Sequence, residues 1–122
     1  MRTLTIPAPA AWVSANDRPH WREKARRTAA WRAVTKLAAR TASREPLRLP
    51  VAITVTVHRV SARKADATNL APTAKACIDG LVDAGWLPDD DDTRITSTTF
   101  VAGHPRKPPA LTITITEQGD PT

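Results

Sequence analysis

The chain has 122 residues, one domain's worth: enough for a single core, and small enough for dimerisation to help it. Its net charge of +6 is unevenly spread, with 14 Lys and Arg against three acids in residues 1–64 and four against nine in residues 65–122. No apolar run approaches the roughly 20 residues that cross a bilayer, Met1 to Pro9 lacks a signal peptide's basic flank and apolar centre, and the single cysteine, Cys77, has no partner for an internal disulfide. A single domain over residues 1–122 is therefore expected, in the cytoplasm, with no membrane span and no zinc-type ligand set. Its basic half should attract a polyanion, nucleic acid ahead of an anionic membrane surface. Solubility alone is the plain alternative.

Leu4 and Ile6 alternate with Thr3 and Thr5 until Pro7 and Pro9 stop the pattern, which predicts a short opening strand. Pro19 to Arg40 holds no further Pro or Gly and is rich in alanine, which predicts a long helix. At about 100° per residue, Ala30, Trp31, Val34, Leu37 and Ala38 gather on one face. Arg22, Arg26, Arg32, Lys36 and Arg40 form a ridge on nearly the opposite one, without an acid among them and with Ala25, Ala29 and Ala33 interleaved. Such a ridge suits a phosphate backbone, and an ordinary solvated face is the competing explanation. Asn16, Arg18, His20 and Arg22, in the turn before this helix, are candidates for phosphate contact, with turn and cap roles beside them.

Glu45 to Pro50 reads as a linker, and "VAITVTVHRV" as a half-buried strand with Val51, Ile53, Val55 and Val57 inward. The loop "SARKADATN" adds Arg63 and Lys64 to the candidate DNA contacts. Thr68 or Asn69 is placed to cap a second helix that has Pro72 in its first turn and runs to Gly85. Ala74, Cys77, Ile78, Leu81 and Val82 make its apolar face, and Lys75, Asp79 and Asp83 line the other side. "RITSTTFVA" and "LTITITE" are two more strands, expected to pair as a hairpin across "GHPRKPP". The order is β-α-β-α-β-β, an α/β domain with a mixed sheet packed by two helices.

Acids stand at both ends of the second helix: Asp66 before it, Asp89 to Asp92 after it. A helix of about 15 residues separates its ends by about 22 Å, so the two groups meet only if "AGWLPDDDD" turns the chain back. Carboxylates brought together would need a cation between them, and oxygen-only ligands suit Mg²⁺, or Mn²⁺ in its place. An EF-hand loop begun at Asp89 fails, because Arg94 stands where the glycine belongs and Phe100 where the glutamate belongs. A plain solvated turn accounts for most of the four aspartates.

The combination of Asp66-Ala-Thr-Asn69-Leu70, Lys75-Ala-Cys-Ile-Asp79-Gly-Leu81, Asp83-Ala-Gly85-Trp86 and the aspartate run followed by Ile95 resembles the RusA family of endodeoxyribonucleases, the Holliday-junction resolvases. The opening "TIPAPAAWVSANDRPHW" and the closing "LTITITE" are similar to that family's first and last segments, so the resemblance covers essentially the whole chain. It implies a RusA-like fold and a Mg²⁺-dependent homodimer that cuts four-way DNA junctions symmetrically in recombination and repair. It also implies Asp66, Asp90 and Lys75 as catalytic residues, with Asp66 and Asp90 holding the metal; on chemical grounds Asp89, Asp91, the Asn69 side-chain carbonyl or DNA phosphate oxygens are the donors that would substitute for a missing carboxylate. Thr68 stands where the family's type member has a second aspartate, and the spacing from Asn69 to Lys75 is longer than the family's. A catalytically silent binder of branched DNA is the alternative that these departures raise. Each residue also has a local role to fill: Asn69 as a cap, Asp79 as the i+4 partner of Lys75, Trp12, Trp21 and Trp31 as core or dimer-interface residues.

Overall fold

The computed structural model describes residues 1–62 and 65–119. β1 (Arg2–Pro7) and β2 (Val51–His58) form where alternating apolar residues were expected, and Val51, Ile53, Val55 and Val57 are buried while Ala52, Thr54 and Thr56 are half-buried. α1 (Trp21–Ala42) follows the turn after β1. A short 3₁₀ helix (Ala67–Leu70) leads straight into α2 (Ala71–Asp83), and β3 (Ile95–Ala102) and β4 (Ala110–Thr116) complete one small α/β domain.

The four strands make one mixed sheet in the order β1-β4-β2-β3. β4 lies antiparallel to both β1 and β2, which aligns Leu4 and Val55 on either side of Ile113, and Ile6 and Val57 on either side of Leu111. β3 lies parallel to β2 on the far side, joined to it through α2. The expected β3–β4 hairpin is therefore wrong: β2 sits between the two strands. Composition explains the order. Leu111, Ile113 and Ile115 of β4 are all buried, as a central strand requires, whereas "ITSTTFVA" has too few apolar residues to fill anything but an edge.

One face of the sheet joins the core with the helices. α1 buries Trp31, Thr35 and Ala39, so its packed stripe is turned from the one expected; Ala30, Val34 and Ala38 are half-buried and Leu37 is 68% exposed. The turn follows from what α1 meets. Gly80 of α2 lies so close that a Cβ there would stand 2.6 Å from the Arg32 carbonyl oxygen and 3.0 Å from Thr35 Cβ, a small-residue crossing that draws the Thr35 side inward. Trp31 is fully buried, stacks on Trp12 at 5.2 Å and donates its indole N–H to the Ala11 carbonyl at 3.1 Å. Trp21, in contrast, is 68% exposed.

α2 buries Ala74, Cys77, Ile78 and Leu81 as expected, with Val82 half-buried, and ends at Asp83 rather than Gly85. Gly85 then takes φ +84°, the left-handed turn that closes the helix. Neither Thr68 nor Asn69 caps α2: Leu70 stands at its N-cap without a side-chain bond, because the chain begins to coil earlier, as a 3₁₀ turn that Asp66 caps by accepting from the Thr68 N–H at 3.0 Å.

Candidate functional site

The first turns of the second helical segment carry Asp66, Asn69 and Lys75. Asp66 Oδ1 accepts from both the Thr68 N–H and the Thr68 hydroxyl, the latter at 2.7 Å, and these two bonds, the hydroxyl first, hold its carboxyl below the usual aspartate range. Thr68 thus supports the very carboxylate beside which an aspartate was missing. The Asn69 backbone carbonyl accepts from Ala15 N–H at 2.8 Å. Thr73 Oγ1 donates to the Val13 carbonyl and accepts from the Val13 N–H, both at 2.8 Å. These bonds stitch the segment that carries Asn16 and Arg18 onto the one that carries Asp66 and Asn69. Thr73 was missed, since only the tertiary fold puts a buried hydroxyl opposite Val13.

Lys75 projects from α2 and is held from two sides. Its Nζ donates to Asp79 Oδ1 at 2.8 Å, the i+4 pair the sequence implies, and to Asp90 Oδ2 from the returning turn. Asp79 first, then Asp90, raises the ammonium's pKa, and Lys75 in turn lowers that of Asp90. Lys75 and Asp90 are therefore both charged at neutral pH. "AGWLPDDDD" does reverse the chain, and it brings Asp90 to Lys75. The other aspartates shape the turn: Asp89 Oδ1 accepts from Asp90 N–H at 2.8 Å, while Asp91 accepts from the Thr93 N–H at 3.0 Å and pairs with Arg94.

The basic ridge is less bare than its sequence. Arg32 makes two bonds to the Asp83 carboxylate, at 2.6 and 2.8 Å, and Arg40 donates to the Asp83 carbonyl at 3.4 Å. Arg26 is bonded to Glu23 at 2.9 and 2.7 Å. The expectation of a ridge without acids is corrected: Glu23, one turn back on the same helix, is visible in a helical projection and was passed over, whereas Asp83 on the facing helix is not. Arg22 lies over the Trp21 ring at 5.2 Å, and Lys36 is half-buried near enough to Asp83 to help lower its pKa. Arg18 donates to the Ala15 carbonyl at 3.2 Å, and Asn16 is exposed in the same turn. Arg63 and Lys64 lie outside the described residues.

Cys77 is buried and its thiol is pushed up to about 12 by that burial. His58 is buried too, with Nδ1 2.9 Å from the His104 carbonyl oxygen and Nε2 2.9 Å from Thr112 Oγ1. Among the described residues no three acids, histidines or cysteines are gathered as a ready metal cage. The oxygen donors of Asp66, Asn69, Asp89 and Asp90 nevertheless fit the kind of ligand Mg²⁺ takes, since that ion is commonly held through one or two carboxylates with water and substrate phosphates filling the rest. Among the described residues, Asp66 and Asp89 are exposed carboxylates bonded only within their own turns.

No protein-family model matches the chain, and no curated protein matches it in sequence.

Proposed function

We propose that the protein is a Mg²⁺-dependent endodeoxyribonuclease of the RusA kind, acting as a homodimer on four-way DNA junctions in recombination and repair. The observation that carries this reading is the pairing of Lys75 with Asp90 across 15 residues of sequence, which unites the two elements that the resemblance marks as catalytic. The tie between Ala15 and Asn69 supports it further, since candidate phosphate contacts then border the candidate metal ligands.

In this mechanism Asn16, Arg18 and the α1 cations Arg22, Arg26, Arg32 and Lys36 hold the DNA backbone, and Arg63 and Lys64 are further candidates. Arriving phosphate competes with Asp79 and Asp90 for the Lys75 ammonium, which then offsets charge building on the scissile phosphate. Asp66 and Asp90, with Asp89 and Asn69 near them in sequence, would hold Mg²⁺ or Mn²⁺, and when bound the ion polarises the phosphate and supplies an activated water. The second reading is a branched-DNA-binding protein of the same fold that does not cut, raised by Thr68 standing where a second aspartate is expected.

The test is cleavage of an end-labelled four-way junction with Mg²⁺, with Mn²⁺ and with EDTA, using Asp66→Asn and Lys75→Met as controls. Paired symmetric nicks from the wild type alone are expected. Salt-sensitive binding without nicks in either metal would replace the nuclease with the silent binder.

A further inference from the structure

β3 is unlike the other strands. Six of its eight residues are exposed, on both faces of the sheet, and only Ile95 is buried. Its inner-face residues Thr98 and Ala102 stay exposed although they stand opposite the buried Ile53 and Val57. Among the described residues its outer edge pairs with no strand. Edge strands of monomers are usually blunted by charge, proline or a covering element, and β1, the opposite edge, carries Arg2 and Pro7. From Ile95 to Ala102 β3 has no charged residue and no proline.

We infer that β3 is the dimer strand: two copies pair their β3 edges antiparallel and join their sheets into one of eight strands. A second copy is the occupant favoured by charge. At a net charge of +6 two copies repel over most approaches, but a charge-free edge meets its own copy without a like charge opposite. The same lack of cations makes the strand a poor seat for DNA. The geometry also narrows the register, and the axis is assigned to Thr99. Gly103 N–H points to Val57 of β2, so by alternation the N–H and C=O groups of Thr98, Phe100 and Ala102 point outward. A two-fold axis normal to the sheet must pass through a residue, since only then do paired side chains share a face. An axis at Thr99 overlaps Thr96–Ala102 completely, bonds Thr98 to the partner's Phe100, and sets Thr99 opposite the partner's Thr99 as a non-hydrogen-bonded pair.

The inference deepens the homodimer of the proposed function, but it rests on β3 alone. Dimerisation through β3 without junction cleavage would leave it standing and remove the nuclease. Cleavage by a protein that dimerises elsewhere would do the reverse.

Two substitutions at one exposed position test it. Cα atoms of a non-hydrogen-bonded pair stand about 4.5 Å apart, within disulfide range, and the native Cys77 is buried. Thr99→Cys should therefore oxidise rapidly to a covalent dimer, while Thr98→Cys, out of register with itself, should not. Thr99→Lys puts two ammonium groups face to face and should weaken the dimer about tenfold or more while leaving the circular dichroism spectrum unchanged. Light scattering should be run from about 5 to about 500 µM, because the mass-action balance sets what is seen. A wild type that stays monomeric throughout, a Thr99→Lys variant as dimeric as the wild type, or equal cross-linking at positions 98 and 99 would each overturn the assignment.

Discussion

Replacing Gly80 by alanine tests the account of how the two helices meet. The added Cβ would lie 2.6 Å from the Arg32 carbonyl oxygen, 3.0 Å from Thr35 Cβ and 3.1 Å from the Lys36 nitrogen. Ordinary contact begins near 3.4 Å, so the shortfall is about 0.8 Å, and two of the three neighbours are helix backbone that cannot rotate aside. Relief requires α1 and α2 to separate, which opens gaps around Thr35 and strains the Arg32–Asp83 pair beside it. Overpacking of this kind costs about 3 kcal/mol at the upper end of its usual range, and the better helix propensity of alanine returns about 1 kcal/mol. The net loss is about 2 kcal/mol, a fall in Tm of about 6–10 °C for a domain of this size. Urea and thermal unfolding followed by circular dichroism measure it. Gly85→Ala is the comparison: nothing lies within 4 Å of its Cβ, and only the positive φ of +84° opposes it, for about 1 kcal/mol. If Gly80→Ala proves no more destabilising than Gly85→Ala, the close crossing is not what holds the helices in place.

Cys77 should not react with Ellman's reagent at pH 8 in native buffer, since burial pushes its thiol up to about 12, and should titrate fully once guanidinium unfolds the chain; rapid native reaction would contradict the packing of α2 against Thr35. Glu23 is lowered from 4.5 to about 2, chiefly by its bonds to Arg26 and then Arg27. Its contribution to stability is therefore complete above pH 4.5 and is lost as the pH falls through about 2. Glu23→Gln should lower the urea midpoint at neutral pH and flatten its fall across that acid window, and parallel curves for the two proteins would refute the pairing.

What could be read without the fold was whatever repeats within a few residues. The alternation in Val51–His58 and Ala110–Thr116 marked both central strands, and the i+4 spacing of Lys75 and Asp79 marked their ion pair. Residues far apart in sequence were legible only in part. Nothing within β3 or β4 says that β2 comes between them, although the scarcity of apolar residues in β3 was a usable sign of an edge. The tilt of α1 was out of reach for the same reason, because it answers to a glycine about 45 residues further on. At the candidate site, the return of the acidic turn toward α2 followed from Gly85 and Pro88, yet which of four neighbouring aspartates meets Lys75 depends on turn geometry that the run of identical residues hides.

The placement of β4 bears on how the protein is made. β1 is bonded only to β4, and β4 also lies along β2, so the first and third elements of the chain are joined in the sheet solely through the last. During synthesis β1 must wait for a partner until Ala110–Thr116 has left the ribosome, roughly 5–20 s at usual elongation rates. Over that interval Leu4, Ile6 and the inward valines of β2 lack the strand that lies between them. On the ribosome β4 therefore enters between two already synthesised strands rather than adding to an edge.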